Sequence, residues 1–361
     1  MIVVIGGGIA GLSVAYELLK RGAKVTVIEA SSIASGASGV ATSYLEPRLG
    51  NTAMRAIERE SMRRWEDYAN HLNAIGQLDV GFRQEGQIKV TLEENRKRLE
   101  KDLDARGAQG EPFRRLSQAD LKQMEPSLSS EIVAAAHLPD VRWVTGRHVC
   151  QALAAAIREH DGGEVREGLP VAAIEENADS LSVIGTDGSV MTADKVIICT
   201  GIGEPHIEGM PQDIPSSRPV RGVNLVLDQS SLPKPITHLI KHHRGNLCPR
   251  AGGELIVGTT YEAGESSLSP GKDVVEFLYQ NAEPILPSVR ELPLLKVTAG
   301  LRSKVGDGNL RLGRSSQLPN LYYSLSHGGA GYLRAPVIAD ELAGFVLTDE
   351  PRQLTRQHTH S

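Results

Sequence analysis

The run Ile2-Val3-Val4-Ile5-Gly6-Gly7-Gly8-Ile9-Ala10-Gly11 leaves this chain little choice of fold. The apolar, β-branched tetrapeptide reads as a buried strand, the glycines as a tight turn, Leu12 to Lys20 as a helix, and Val25 to Glu29 as a second, parallel strand. Gly6 permits the turn, Gly8 lets a pyrophosphate approach the backbone, and Gly11 lets the helix lie close to the strand. Ile9 and Ala10, between the glycines, are expected cofactor contacts, and the free N–H groups and partial positive charge of the helix N-terminus suit phosphates. Glu29 ends the second strand, where a carboxylate accepts both ribose hydroxyls of an adenosine and repels a 2'-phosphate. The unit reads as a βαβ dinucleotide-binding site.

The chain has 361 residues, enough for about two or three domains. With 40% hydrophobic and 23% charged residues it has the composition of a soluble globular protein. A net charge of −5 and a pI near 6.1 argue against nucleic acid as the main partner. The Arg63-Arg64 and Arg96-Lys97-Arg98 clusters alternate with acids and read as solvated helix faces. Cys150, Cys199 and Cys248 are widely spaced and form no metal pattern, which fits a reducing compartment. Because the nucleotide unit starts at residue 2, no signal peptide is expected ahead of it, and no apolar run reaches membrane-spanning length. A cytoplasmic location is expected; a homo-oligomer is allowed.

After Glu29, the small residues from Ala30 through Ser35, Ser38 and Gly39 offer close backbone approach and hydroxyls, and are expected to make a second cofactor contact. Asn51 to Ile75 reads as a long helix with Met54, Ile57, Met62, Trp65 and Leu72 as its core stripe. From Gly86 the texture changes: strand at Gln87 to Leu92, charged helix at Glu93 to Arg106, an N-cap at Ser117, strand at Ile132 to Leu138. Thr145 to His160 is a helix stopped by Gly162-Gly163, and short strands follow at 170–174, 182–184 and 190–192. Lys195 to Gly201 is an apolar strand running into glycine. A second group of strands, with antiparallel alternation, covers Arg218 to Asp228, His238 to Lys241, Asn246 to Pro249, Glu254 to Thr260 and Leu294 to Arg302, with a helix at Asp273 to Gln280. A final βα pair runs from Asn320 through the loop at His327 to a helix from about Leu333, and the tail is expected to be disordered.

Taken in order, these motifs resemble the D-amino-acid oxidase superfamily, and most of all its glycine oxidase branch associated with thiamine biosynthesis. They are the opening βαβ, Ser35-Gly36-Ala37-Ser38-Gly39, Val196 to Gly201, Arg218-Pro219-Val220-Arg221-Gly222, Cys248-Pro249-Arg250, Ala299-Gly300-Leu301-Arg302 and His327-Gly328-Gly329-Ala330-Gly331. The resemblance implies an α/β fold: a Rossmann-like FAD-binding domain over 1–80, 140–215 and 298–350, with an inserted antiparallel β-rich substrate domain over 81–139 and 216–297 and a disordered tail over 351–361. It implies non-covalent FAD and two-electron oxidation of an amine α to a carboxylate, with hydride passing from the α-carbon to flavin N5. Glycine or another small amino acid or secondary amine is the implied substrate; dioxygen is the implied acceptor, giving an imine, then a keto acid, and hydrogen peroxide.

By the same resemblance Arg302 pairs with the substrate carboxylate, a role suited to its planar fork of donors. Thr42 and Ser43 fall near the isoalloxazine ring, the backbone of Val171 near the adenine, and Thr200 and Gly201 in the cofactor site. The segment His327, Gly328, Gly329, Ala330, Gly331 and Tyr332 runs past the flavin pyrimidine edge, where N–H groups at a helix start stabilise developing negative charge. The chain departs from the branch at two places. Asn246 stands where a tyrosine is common and Gly329 where a second arginine is common, with Tyr261, Arg244 or Arg334 as candidate substitutes. Two other readings stay open: a dehydrogenase of the same fold serving a quinone or partner subunit, and a flavin-binding subunit that has lost catalysis. His242-His243 reads as a solvated strand end, not a metal site.

Overall fold

The structure, a computed structural model, describes residues 1–50, 52–202, 207–306 and 310–353. The opening motif folds as its pattern demands. Ile2–Ile5 is a fully buried strand paired in parallel with Val25–Ile28 on one side and Lys195–Ile198 on the other. The six-stranded sheet runs in the order Arg311–Arg314, Leu321–Leu325, Lys195–Ile198, Ile2–Ile5, Val25–Ile28, Gly163–Arg166, with only Arg311–Arg314 antiparallel. Both faces are covered, which is why the central strand Ile2–Ile5 is apolar throughout rather than alternating. Ile2, Val4, Val25 and Val27 share a core with the helices Ile9–Lys20, Gly146–Glu159 and Gly331–Thr348. Val3, Ile5, Val196 and Ile198 face the other way, onto a three-stranded antiparallel sheet of Val171–Glu176, Leu181–Gly185 and Val190–Ala193.

The second large sheet has nine strands, drawn from Gln87–Thr91 to Ala134–Leu138 and from Arg218–Asp228 to Leu294–Lys304. It is antiparallel except where Leu239–His242 joins Gln87–Thr91 in parallel, a pairing that alternation alone does not reveal. One face is apolar: Ile88, Ile240, Leu247, Val257, Val223 and Leu225 pack with Leu278 and Ala282 of the helix Lys272–Ala282. Period-two geometry then sends Lys89, Lys241, Asn246, Asn224 and Arg302 to the opposite face. That face meets the nucleotide module, since a Cβ at Gly300 would press on Ala37 and Val40 of the short helix Ala37–Val40.

The long helix is Thr52–Gly76, and its stripe is core: Met62, Trp65 and Leu72 are buried, while Met54 and Ile57 pack partly against the same cluster. Ser117 caps Gln118–Met124 with a capping box to Asp120.

Several expectations need correcting. Gly163 does not merely stop a helix; it begins the strand that closes one edge of the nucleotide sheet. The boundary expected at 298 falls inside Leu294–Lys304, which pairs along its length with Arg218–Asp228. Thr348 is the last residue of a helix, Asp349 pairs with Lys195, and Arg352 pairs with Asp340 and Glu341, so the tail is held at least this far; residues 354–361 lie outside the described residues. His242 is buried rather than solvated, and burial beside His243 and Lys241 pulls its pKa down to about 3.

Candidate functional site

The glycine turn forms a cradle. Gly6 has φ 118°, and a Cβ there would strike the Cys199 carbonyl. A Cβ at Gly11 would strike the carbonyl of Gly6, so the helix can approach the strand only without one. Gly8 is the N-cap of Ile9–Lys20 and supplies no side-chain cap, which leaves the first-turn amides of Ile9, Ala10 and Gly11 facing the turn. Ser38 Oγ accepts from the Ile9 amide at 3.1 Å, fixing the small-residue loop against that N-terminus. Glu29 is organised on both oxygens, accepting Gly7 N at 2.8 Å, Ser31 N at 2.9 Å and Ser35 Oγ at 3.3 Å.

Ala30 is exposed beside Glu29, and Gly39 is pressed against the Ala34 carbonyl. Val171 is buried in the cluster that contains Ile28, one residue before Glu29. Thr200 and Gly201 follow the Lys195–Ile198 strand, and Thr200 Oγ1 is buried with no hydrogen-bond partner among the described residues.

The loop before the last helix reaches the same place. Gly331, the first residue of that helix, lies against Ile9, so two helix N-termini whose own N-cap residues, Gly8 and Ala330, supply no side-chain cap stand together. Tyr332 Oη donates to the Ser38 carbonyl at 2.7 Å, tying the two segments. The Gly328 amide donates to the Ser303 carbonyl at 3.2 Å, and the Ala330 amide to the His327 carbonyl at 3.1 Å. His327 Nε2 meets Ser324 Oγ at 3.0 Å while Nδ1 has no partner among the described residues. Burial, with the Arg334 guanidinium nearby, lowers its pKa to about 4, so the ring is neutral near pH 7.

Thr42 and Ser43 are both buried, and Ser43 adopts φ 51°. Arg250 donates to the Thr42 carbonyl, and its Nη1 is buried without a partner. In the sequence Arg250 is only part of a motif; that its part-buried guanidinium is aimed at the backbone of Thr42 emerges only from the fold.

On the opposite sheet face Arg302 is part-buried. Its Nη2 donates to Thr259 Oγ1 at 3.0 Å and its Nη1 to the Thr260 carbonyl at 3.2 Å, and it has no carboxylate partner among the described residues. A Cβ at Gly222 would overlap its guanidinium, so the strand partner makes room for it. Burial lowers its pKa, opposed by Tyr44 and Tyr261, but a guanidinium stays charged.

Thr259 and Thr260 line a cavity of about 840 Å³, together with Asn246, Lys241, Tyr261 and Arg244. Tyr261 is largely exposed at its rim, whereas Asn246 is 1% exposed with both amide atoms unpartnered. A second cavity of about 330 Å³ is lined by Gly329, Ala330 and Tyr44, and Lys89 and Asp102 border both. Arg334 is not a free donor: its Nε and Nη2 reach Glu58 Oε1 at 2.9 and 2.6 Å in a buried pair. That removes one of the three candidate substitutes for the missing arginine.

This arrangement fits FAD. The first-turn amides of Ala10 and Gly11, the Ile9 amide held by Ser38 Oγ, the oriented carboxylate of Glu29 and the buried Thr200 hydroxyl form a cradle that suits a dinucleotide, and the start of Gly331–Thr348 adds a positive end that suits a flavin ring. A family model described as FAD dependent oxidoreductase (DAO) matches residues 1–344. The glycine oxidase of Bacillus licheniformis is 27% identical over 349 residues, covering 96% of this chain and 92% of that protein. Two solved structures share the fold. The glycine oxidase of Bacillus cereus has a TM-score of 0.90 at 24% identity, covering 98% and 97% of the two chains. The L-proline dehydrogenase of P. horikoshii has a TM-score of 0.83 at 22% identity, covering 98% and 94%. The sheet order, the cradle and the matched family agree: the chain belongs to the DAO family and is an FAD-dependent oxidoreductase of the glycine-oxidase type.

Proposed function

We propose that the protein oxidises a small amino acid or secondary amine at the carbon next to its carboxylate, with dioxygen as the acceptor. The observation that carries this reading is Arg302: a part-buried guanidinium with no carboxylate partner among the described residues, placed behind Thr259 and Thr260 at a cavity wall. A cation held partly away from water without an acid is matched by an anion from outside, and a planar fork matches a carboxylate.

In this reading the six-stranded module holds FAD, Gly6 to Gly11 and Ser38 taking the pyrophosphate and Glu29 the ribose. Val171 lies by the adenine, and Thr42, Ser43 and the 327–332 loop lie by the flavin. The nine-stranded sheet presents the substrate through Arg302, with Asn246, Tyr261 and Gly329 around it. Bound FAD supplies the capacity to accept two electrons from the amine carbon. The chain contributes position: Arg302 fixes the carboxylate, and the fixed carboxylate orients the carbon beside it. His327, neutral and held by Ser324, adds no charge to the loop and leaves the helix start as its electropositive group. For a primary amine the balance is amine, dioxygen and water to keto acid, ammonia and hydrogen peroxide, so glycine would give glyoxylate; a secondary amine releases a primary amine in place of ammonia.

The test is anaerobic titration of the yellow holoprotein with glycine, sarcosine, D-alanine, D-proline and L-amino acids, watching the flavin band near about 450 nm. Bleaching by one amine, reversed by air with peroxide formed, is expected. Bleaching without rapid recovery in air transfers the reading to a dehydrogenase, and no bleaching by any amine overturns it.

A further inference from the structure

The reaction above gives the carboxylate to Arg302 but assigns no group to the amine nitrogen. Two buried amides stand beside Arg302. Asn224 is 3% exposed and Asn246 is 1% exposed. They lie on the strands to either side of Glu254–Gly258, each directly opposite Gly258. Residues opposite one another in an antiparallel pair share a face, so both side chains rise on the face that carries Arg302.

Asn224 has a fixed orientation. Its Nδ2 donates to the Val40 carbonyl at 2.9 Å; that group only accepts, so nitrogen faces Val40 and the amide oxygen points elsewhere. A Cβ at Gly258 would overlap Asn224 Oδ1, which places this oxygen over Gly258, on the way to Asn246. It has no hydrogen-bond partner among the described residues, and neither Oδ1 nor Nδ2 of Asn246 has one. Buried polar atoms are seldom left so.

The spacing to Arg302 gives the two amides a role. A Cβ at Gly222 would overlap the Arg302 guanidinium, so that group lies over Gly222. Gly222 is two residues before Asn224 and is therefore the diagonal neighbour of Gly258, about 7–8 Å from it. A cation and a carbonyl oxygen so separated match the two ends of an α-amino acid, carboxylate on one and amine on the other, through hydrogen bonds of about 2.9 Å at each end. An amine further along a chain overshoots. Val40, which orients Asn224, ends the short helix Ala37–Val40 of the nucleotide module, so a nitrogen held here lies where the substrate sheet meets that module. Asn246 lines the larger cavity, as do Thr259 and Thr260, which hold Arg302.

We propose that Asn224 and Asn246 bind the amine nitrogen of the substrate, each amide oxygen accepting one N–H. This deepens the amine-oxidation reading and rests on it. Asn246, with both amide atoms unengaged, turns its oxygen to the gap without breaking a bond. Carbonyl oxygens attract N–H and repel a lone pair, so the lone pair is turned away from both. When the neighbouring carbon gives up hydride to the bound cofactor, that lone pair closes a C=N bond and the nitrogen becomes cationic. The two oriented amide dipoles stabilise the charge as it develops, so they act on kcat as well as on binding.

The experiment separates the amine from the carboxylate. Glycolate and acetate are titrated into the oxidised holoenzyme and followed by the change in flavin absorption; glycolate has an O–H donor where acetate has none. Glycolate is expected to bind about tenfold or more tighter than acetate. Asn224→Leu is expected to remove most of that difference, and its double variant with Asn246→Leu all of it, with acetate binding unchanged, whereas Arg302→Ala weakens both acids. Asn246→Leu alone leaves the tie to Val40 intact. It is expected to lower kcat for glycine more than for sarcosine, whose single N–H needs one carbonyl. The proposal is overturned if neither acid binds, if the glycolate preference survives the double variant, if Asn224→Leu weakens acetate equally, or if Asn246→Leu slows both amines alike. If no amine bleaches the flavin, the oxidase reading fails, and the two acids alone decide whether the amides hold a donor beside a carboxylate.

Discussion

Arg302 and Gly329 show how much a single position decides here. Replacing Arg302 by Ala removes the fork but leaves the nucleotide cradle intact, so KM for the amine is expected to rise at least about tenfold while FAD stays bound. Steady-state kinetics with flavin quantification checks this, and an unchanged KM sinks the assignment. Gly329 is the converse case: a Cβ there meets nothing, its φ is not in the left-handed region, and it borders the smaller cavity. Gly329→Arg is therefore expected to cost no more than about 0.5 kcal/mol in stability and to lower KM for monocarboxylate amines by adding a donor. Chemical denaturation and kinetics on the one variant test both halves.

Individual roles were legible from sequence to different depths. The backbone demands at Gly6 and Gly11 could be read because they are local. The position of Arg250 could not, because its place against the Thr42 carbonyl depends on segments far apart in the chain.

The helices that frame the cradle are set by packing between distant segments. Trp65 is buried on Thr52–Gly76, and its Nε1–H donates to the carbonyls of Tyr332 and Leu333 at 3.1 and 3.2 Å in the first turn of the last helix. Trp65→Ala is expected to destabilise the fold by about 3–5 kcal/mol, and Trp65→Phe, which keeps most of the volume, by less. Urea unfolding followed by flavin fluorescence measures both. If the contact also fixes the flavin-side loop, FAD dissociates more readily from Trp65→Phe than its stability loss alone accounts for.

Periodicity placed the long apolar and amphipathic elements well, from Ile2–Ile5 to Thr52–Gly76, because burial on one stripe or both faces marks them directly. It missed Gly163–Arg166, Arg311–Arg314 and Arg114–Leu116, short strands rich in charge or glycine whose pairing comes from the sheet edge they join. Their neighbours, not their residues, make them strands.

The molecule as a whole carries a consequence of its buried imidazoles. His327 and His242 have pKa values lowered to about 4 and about 3, below the ordinary value near 6.5. Between those limits the unfolded chain binds more protons than the folded one, so stability is full above about pH 6.5 and falls as pH drops toward 4. The melting temperature is expected to decrease from pH 7 to pH 5, with a smaller decrease in His327→Gln; an equal decrease in the two proteins removes His327 from the explanation. The chain also passes back and forth between its two large sheets: Ile2–Ile5 and Val25–Ile28 lie in one, Gln87–Thr91 in the other, Lys195–Ile198 in the first, Arg218–Asp228 in the second, and Leu321–Leu325 in the first again. No single cut of the polypeptide releases either half whole. A new substrate range therefore cannot be acquired by grafting one contiguous segment onto this scaffold; it has to be reached by exchanging side chains along strands that already hold the rest of the protein together.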